Sequence, residues 1–261
     1  LKGWFKPSEI AGQLVAAAED DEGAFRLRKG WFLGDGTGCG KGRQVAGIIV
    51  DNWLRGRKRA IWVSKSDKLI EDAKRDWMAI GGRESDIVPL SKFRQGSDIR
   101  LTEGILFVTY ATLRSAEREG KASRLDQVIA WLGEGFDGVI AFDESHAMAN
   151  AAGEKSARGD KKASQQGLAG LALQNAVPDA RILYASATGA TVVGNLAYAS
   201  RLGLWGTGDF PFVTQAEFVS SMEAGGIAAM EMISRDLKAL GLYLARSLSY
   251  AGVEYDLLVH D

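Results

Sequence analysis

The sequence predicts an α/β fold, a mostly parallel sheet with helices on both faces. Short apolar runs without polar alternation recur along it, as in strands buried on both sides. Amphipathic helical stretches separate those runs, and strands alternating with helices make a parallel sheet. With 46% hydrophobic and 25% charged residues, 261 residues suffice for one large domain or two small ones with a sizeable core.

Each element has its own signal. Pro7-Ser8-Glu9 followed by Ile10, Leu14, Val15 and Ala18 reads as a helix start with an apolar stripe. Trp31-Phe32-Leu33 reads as a buried strand before a glycine cluster, and Val45, Ala46, Ile48, Ile49 and Trp53 as the helix face after it. Residues 60–64 form a strand; Ser66 caps a helix carrying Ile70, Ala73, Trp77 and Ile80, and Gly81 ends it. Residues 105–110 are a strand, Leu125, Ile129 and Leu132 mark a helix, and residues 138–142 are a strand. The small, charged stretch 151–166 reads as an exposed loop, with Leu168, Leu171 and Leu173 helical beyond it and 181–185 a strand. Past Leu204 the alternation blurs. Met230, Ile233, Leu237 and Leu240 form a helix stripe, and 253–259 a last strand. Trp53, Trp62 and Trp77 lie on apolar faces and are expected in the core.

Composition narrows the function. Plentiful large apolar residues with balanced charge exclude disorder as the main state. No apolar run reaches the ~18 residues a membrane span needs, so no membrane role is expected. A net charge of −1 gives no global basic field, which leaves nucleic-acid binding to local contacts. The lone Cys39 cannot form an intramolecular disulfide, and an intracellular, cytoplasmic compartment is expected. With only His146 and His260 beside it, a structural zinc site lacks ligands. Because Leu1 stands first, a processed product or a piece of a longer protein is expected.

Three short segments carry chemistry. The first is Gly34-Asp35-Gly36-Thr37-Gly38-Cys39-Gly40-Lys41-Gly42-Arg43, between a predicted strand and a predicted helix. Its glycines let successive N–H groups face one anion, and Lys41 can reach the β- and γ-phosphates of a nucleotide. Lys41 and Arg43 oppose the helix dipole in the first turn, a placement that makes sense beside an anion. Two positions depart from the common pattern: Asp35 stands where Gly or Ala is usual, and Gly42 where Ser or Thr supplies a hydroxyl to Mg²⁺. The metal is then left to water, the nucleotide and a downstream acid, or to Thr37. The second segment is the DExH tetrapeptide Asp143-Glu144-Ser145-His146, at a strand end where open α/β sheets bind ligands. An Asp there can hold Mg²⁺, and the adjacent Glu can polarise an attacking water. The third, Ser186-Ala187-Thr188, follows a strand; its two hydroxyls can reach the carboxylate segment and relay nucleotide state.

In this order the three segments resemble the first RecA-like domain of superfamily 2 helicases and translocases. Residues 34–49, 143–146, 184–190 and 201–206 resemble the Strawberry notch family more closely. The likeness runs from about residue 33 to 205, and Gly-Lys-Gly-Arg belongs to that family's first motif. Bacterial and phage members are large, often helicase–methylase fusions, so the resemblance implies a bacterial or phage protein with a methyltransferase domain elsewhere in the parent chain. It implies a RecA-like P-loop NTPase domain over residues 1–205 and a mainly helical extension over 206–261 that leads to a second RecA-like domain. By position, Gly36, Thr37, Gly38, Cys39, Gly40, Lys41, Gly42 and Arg43 would bind the nucleotide. Lys41, Asp143 and Glu144 would be catalytic, with Asp143 the metal ligand. His146, Ser186 and Thr188 would couple the nucleotide to nucleic acid, and Ser64, Lys65, Thr109 and Tyr110 would touch a nucleic-acid backbone. The implied cofactors are ATP and Mg²⁺, and the implied partner is DNA in preference to RNA. The expected function is the ATP-binding half of a nucleic-acid-dependent ATPase. Its rivals are a nucleotide-gated regulatory or scaffold module, which Gly42 favours, and a small-molecule kinase, which the paired carboxylates disfavour.

Overall fold

A computed structural model of the chain describes residues 1–7, 14–115, 122–149, 151, 163–187, 196–207 and 209–246. Ser8, Glu9 and Ile10 of the first expected helix, most of the expected 151–166 loop, Thr188 and the expected strand 253–259 lie outside the described residues.

The chain begins with a small antiparallel sheet, β1 (Trp4–Pro7), β2 (Leu14–Ala17) and β3 (Phe25–Arg26), in the order β2-β1-β3. This corrects the helix expected to include Leu14 and Val15. Those residues pair with Lys6 and Pro7 instead. The spacing of Ile10, Leu14 and Ala18 matches a helix, but cross-strand pairing decides the state, since strand formation depends on neighbours more than on intrinsic preference.

The main sheet follows. In chain order its elements are β4 (Trp31–Leu33), α1 (Lys41–Leu54), β5 (Arg59–Ser64), α2 (Ile70–Met78), β6 (Ile87–Pro89), β7 (Gly104–Thr109), α3 (Tyr110–Leu113), α4 (Arg124–Leu132), β8 (Val139–Asp143), α5 (Gln165–Ala176), β9 (Arg181–Ala185), α6 (Gln215–Ala239) and β10 (Tyr243–Leu244). The seven strands lie in the order β10-β4-β9-β8-β5-β7-β6, and every neighbouring pair is parallel.

Strand side chains alternate between two cores. On one face Trp62, Ile105, Phe107 and Ala141 meet Val45, Ala46 and Ile49 of α1 and Ala73 and Trp77 of α2. On the other, Ile61, Val63, Leu106, Val108, Ile140 and Phe142 meet α4, α5 and α6 through Val128, Leu132, Leu173, Phe218 and Ile233. Burial on both faces explains the unbroken apolar runs. Trp62 and Trp77 are buried, and Trp53 packs on Trp77 with ring centroids 5.6 Å apart.

Some boundaries move. Tyr110, expected to end a strand, opens α3, because the Thr109 side chain accepts from Thr112 N and caps a helix there. Leu240 caps α6 and is exposed rather than part of its buried stripe. α6 is broken at Gly226, where φ is 57°. Beyond residue 205 the described stretch is mainly helical, through α6, and β10 returns to the main sheet beside β4. Among the described residues no helix is long and apolar enough to cross a membrane.

Candidate active site

Three strand ends meet on one edge of the sheet. β4, β9 and β8 are neighbours, and their register sets both Leu33 and Asp143 against Ala185. Two strand spacings, roughly 10 Å, separate the ends of β4 and β8. The glycine loop, Ser186 and the Asp143-Glu144 pair therefore leave the sheet together, at the carboxyl edge where open parallel sheets bind ligands.

The loop is shaped by its glycines. Gly38 and Gly40 have φ of 83° and 75°, a region L side chains rarely adopt, and Gly40 is the residue from which α1 starts. Thr37, Gly38 and Gly40 are exposed and Cys39 partly so. Lys41 Nζ folds back onto the loop, donating to the carbonyls of Asp35 at 3.0 Å and Gly36 at 3.2 Å. Its ammonium is thus held at the loop that would receive an anion. Arg43 pairs with Asp76 of α2 at 3.2 Å. Asp76 also explains Gly42: a Cβ at that position would lie 2.1 Å from Asp76 Oδ2. A carboxylate oxygen occupies the space of the usual Ser or Thr side chain.

Asp143 ends β8, and the fold holds it from several sides. Glu144 N donates to its Oδ1 at 3.0 Å, Ser64 Oγ to its Oδ2 at 3.4 Å, and Tyr110 Oη to its carbonyl at 2.8 Å. Burial and the neighbouring Glu144 push its carboxyl up to about 6. No lysine or arginine pairs with it among the described residues. A largely buried carboxylate without a cationic partner is a fitting donor for a divalent cation. Glu144 takes the left-handed conformation, φ 49°, the sole non-glycine residue among the described ones to do so. Such a residue is uncommon and marks a position fixed by its surroundings.

His146 joins the second segment to the third. Its Nδ1 lies 3.2 Å from Glu144 Oε2 and 3.1 Å from Ser186 Oγ. Ser186 N donates to the carbonyl of Leu33 at 3.0 Å, so this serine touches both the strand before the glycine loop and the histidine after the carboxylates.

Of the four residues expected on a nucleic-acid backbone, Lys65 is exposed, whereas Ser64, Thr109 and Tyr110 are buried. The Ser64 and Tyr110 hydroxyls point at Asp143, and Thr109 Oγ1 bonds Thr112 Oγ1 at 2.9 Å.

Sequence reasoning missed the supports. Asp35 is fully buried and bonded to Arg246, which lies far along the chain without any motif of its own. Asp76 carries no signal beyond a helical charge. Arg201, fully buried, donates to the carbonyls of Arg28, Gln174, Val177, Pro178 and Ala180 and ties the segment before β4 to the end of α5.

A glycine loop with its lysine, opening a helix beside a strand-end carboxylate pair, is the layout of a phosphate-binding ATPase core. The family model described as P-loop containing NTP hydrolase pore-1 matches residues 9–261. The chain belongs to that family. Among its relatives, it is 47% identical to mouse protein strawberry notch homolog 2 over 87% of this chain and 16% of that protein. It is 44% identical to chicken protein strawberry notch homolog 1, over 87% of this chain and 19% of the relative. Protein FORGETTER 1 of Arabidopsis thaliana is 38% identical over 88% and 18%. These matches support the Strawberry notch resemblance; being animal and plant proteins, they do not support a bacterial or phage source. The chain spans less than a fifth of the length of these relatives. In fold, it is similar to the Sulfolobus solfataricus SWI2/SNF2 ATPase core in complex with dsDNA, with a TM-score of 0.55 and 17% identity over 84% of this chain and 40% of that one. This P-loop NTPase domain is RecA-like, as expected.

Proposed function

We propose that this P-loop domain is the ATP-binding half of a nucleic-acid-dependent ATPase of helicase or translocase type. The observation that carries the proposal is the convergence of Lys41, the Asp143-Glu144 pair and the His146–Ser186 contact on one sheet edge. Residues 36–43 would receive the phosphates, with Lys41 leaving its loop carbonyls for the β- and γ-oxygens. Asp143, which has no lysine or arginine partner among the described residues, would hold Mg²⁺. The bound ion supplies positive charge that offsets charge on the phosphates. Glu144 would accept a proton from the attacking water and orient it. His146 would hold Glu144 in place, and through Ser186 would link it to the strand that carries the phosphate loop. Lys65, exposed at the end of β5, is the expected backbone-contacting side chain that is free to reach a nucleic-acid phosphate. The similar archaeal core was solved with dsDNA, which supports DNA as the partner.

In such motors a second RecA-like domain completes the site with arginine fingers. The full-length protein should therefore turn over ATP with DNA stimulation, and Glu144→Gln should reduce turnover at least about a hundredfold, as loss of a general base does. Residues 1–261 alone should be nearly inactive, and robust DNA-stimulated turnover by that piece would sink the half-motor reading. Gly42, which brings no hydroxyl, favours a second reading, a nucleotide-gated module with little hydrolysis. That reading wins if wild-type and Glu144→Gln full-length proteins turn over ATP equally slowly while both bind it.

A further inference from the structure

The phosphate loop of this chain contains a buried acid. Asp35 is the second residue of that loop and is fully buried. A polyanion site with a carboxylate beneath it is unfavourable unless that charge is offset, because burial weakens screening.

Arg246 supplies the offset. Its Nη2 and Nε donate to Asp35 Oδ2 at 2.6 and 3.1 Å, its Nε also to Oδ1 at 3.2 Å, and its backbone N to Oδ1 at 2.8 Å. Gln44, on α1, bridges the pair, donating to Asp35 Oδ2 at 2.9 Å and accepting from Arg246 Nη2 at 2.8 Å. The pairing of β10 with β4 extends to the same place: Gly34 N donates to Leu244 O at 2.6 Å and Gly36 N to Arg246 O at 2.7 Å. The guanidinium and the backbone of one segment thus hold the loop's first three residues. On its other side, the Asp35 carbonyl accepts from Lys41 Nζ at 3.0 Å. The guanidinium holds the Asp35 carboxyl below the usual carboxylate range, so the acid is charged at neutral pH.

We infer that Arg246 is a positioning residue for nucleotide phosphates, acting through Asp35: it neutralises the acid under the phosphate loop and fixes the entry to that loop. This rests on the nucleotide-binding reading above and adds to it a residue outside the phosphate-loop motif. The segment that follows β10, 211 positions from Asp35 in the chain, then determines whether the loop accepts an anion.

The test is a charge cycle in the full-length protein, read as the affinity for a fluorescent ATP analogue with Mg²⁺. Arg246→Ala removes the cation beside Asp35, leaving it the bonds from Gln44 and the backbone, and should weaken binding at least about tenfold, the scale of one poorly screened charge near a polyanion. Arg246→Lys keeps a positive charge but loses the bidentate fork, so its affinity should fall between that of Arg246→Ala and wild type. The neutral pair Asp35→Asn/Arg246→Ala should recover most of the loss, whereas a merely structural strap would leave the double variant as weak as Arg246→Ala. Thermal unfolding of each variant identifies any that fails to fold; Arg246→Gln, which keeps a long polar side chain, then replaces Arg246→Ala in the cycle. Unchanged affinity in Arg246→Ala, or a double variant no better than the single one, overturns the inference while wild-type binding upholds the nucleotide reading. Wild-type protein that binds no nucleotide overturns both.

Discussion

The commonest way to repair this phosphate loop by sequence comparison would be Gly42→Ser, and the structure predicts that it destabilises the domain. A Cβ at Gly42 lies 2.1 Å from Asp76 Oδ2 and 3.2 Å from its Cγ, so the carboxylate must withdraw by more than an ångström. Withdrawal strains the Asp76 rotamer by about 0.5–1.5 kcal/mol. It also breaks the Arg43–Asp76 pair, which is 3.2 Å long with side chains 47% and 19% exposed. A pair that open contributes at most about 1 kcal/mol. Replacing a helical glycine by serine returns roughly 0.5 kcal/mol. The net expectation is a loss of about 1 kcal/mol, larger for Gly42→Thr, whose β-branch allows fewer escapes. Urea unfolding of the four proteins in the Gly42→Ser, Asp76→Ala cycle measures it. Once Asp76 is shortened the serine should be tolerated, giving a favourable coupling of about 1 kcal/mol. A Gly42→Ser protein as stable as wild type, with Asp76 in place, would refute the steric account of this glycine.

Two further outcomes follow from buried charges. Arg201 satisfies five backbone carbonyls, so Arg201→Met should cost about 3–5 kcal/mol and Arg201→Lys, with three donors, about 2 kcal/mol; denaturation showing Arg201→Lys within experimental error of wild type would contradict this. The Asp35 carboxyl is held below its unfolded value by Arg246, so its stabilisation is fully present above about pH 4 and is lost as pH falls through the folded value. The stability difference between wild type and Asp35→Asn should therefore be constant at neutral pH and shrink in acid; urea titrations across pH 2–7 would show it, and a difference that grew in acid would reverse the assigned sign.

Much of the main sheet was legible because its strands are buried on both faces. Residues 60–64, 105–109, 139–142 and 181–185 are near-continuous apolar runs, and α1, α2 and α4 place their stripes at helical spacing. The residues missed have a common cause. Leu14 is half-buried and Val15 exposed, so their state was set by pairing with β1. β6 and β10 are two or three residues long, too short for any periodicity, and are strands because a parallel neighbour already exists. Ser64 ends β5 and Tyr110 follows β7, positions that a sheet could have left open; instead their hydroxyls turn inward to Asp143.

By itself, the sequence determined the parts that must be local: a glycine loop that curls only with those residues, a lysine at its helix, and carboxylates at the end of an apolar strand. These depend on backbone freedom and on contiguous neighbours, and both are written in order along the chain. The tertiary structure alone decided how those parts are balanced. It set Asp76 against Gly42, Arg246 against Asp35 and His146 between Glu144 and Ser186. The partners of Gly42 and Asp35 sit tens to hundreds of positions away, and only strand order and helix packing bring such charges within a few ångströms. Coulomb forces depend on that distance and on burial rather than on separation along the chain.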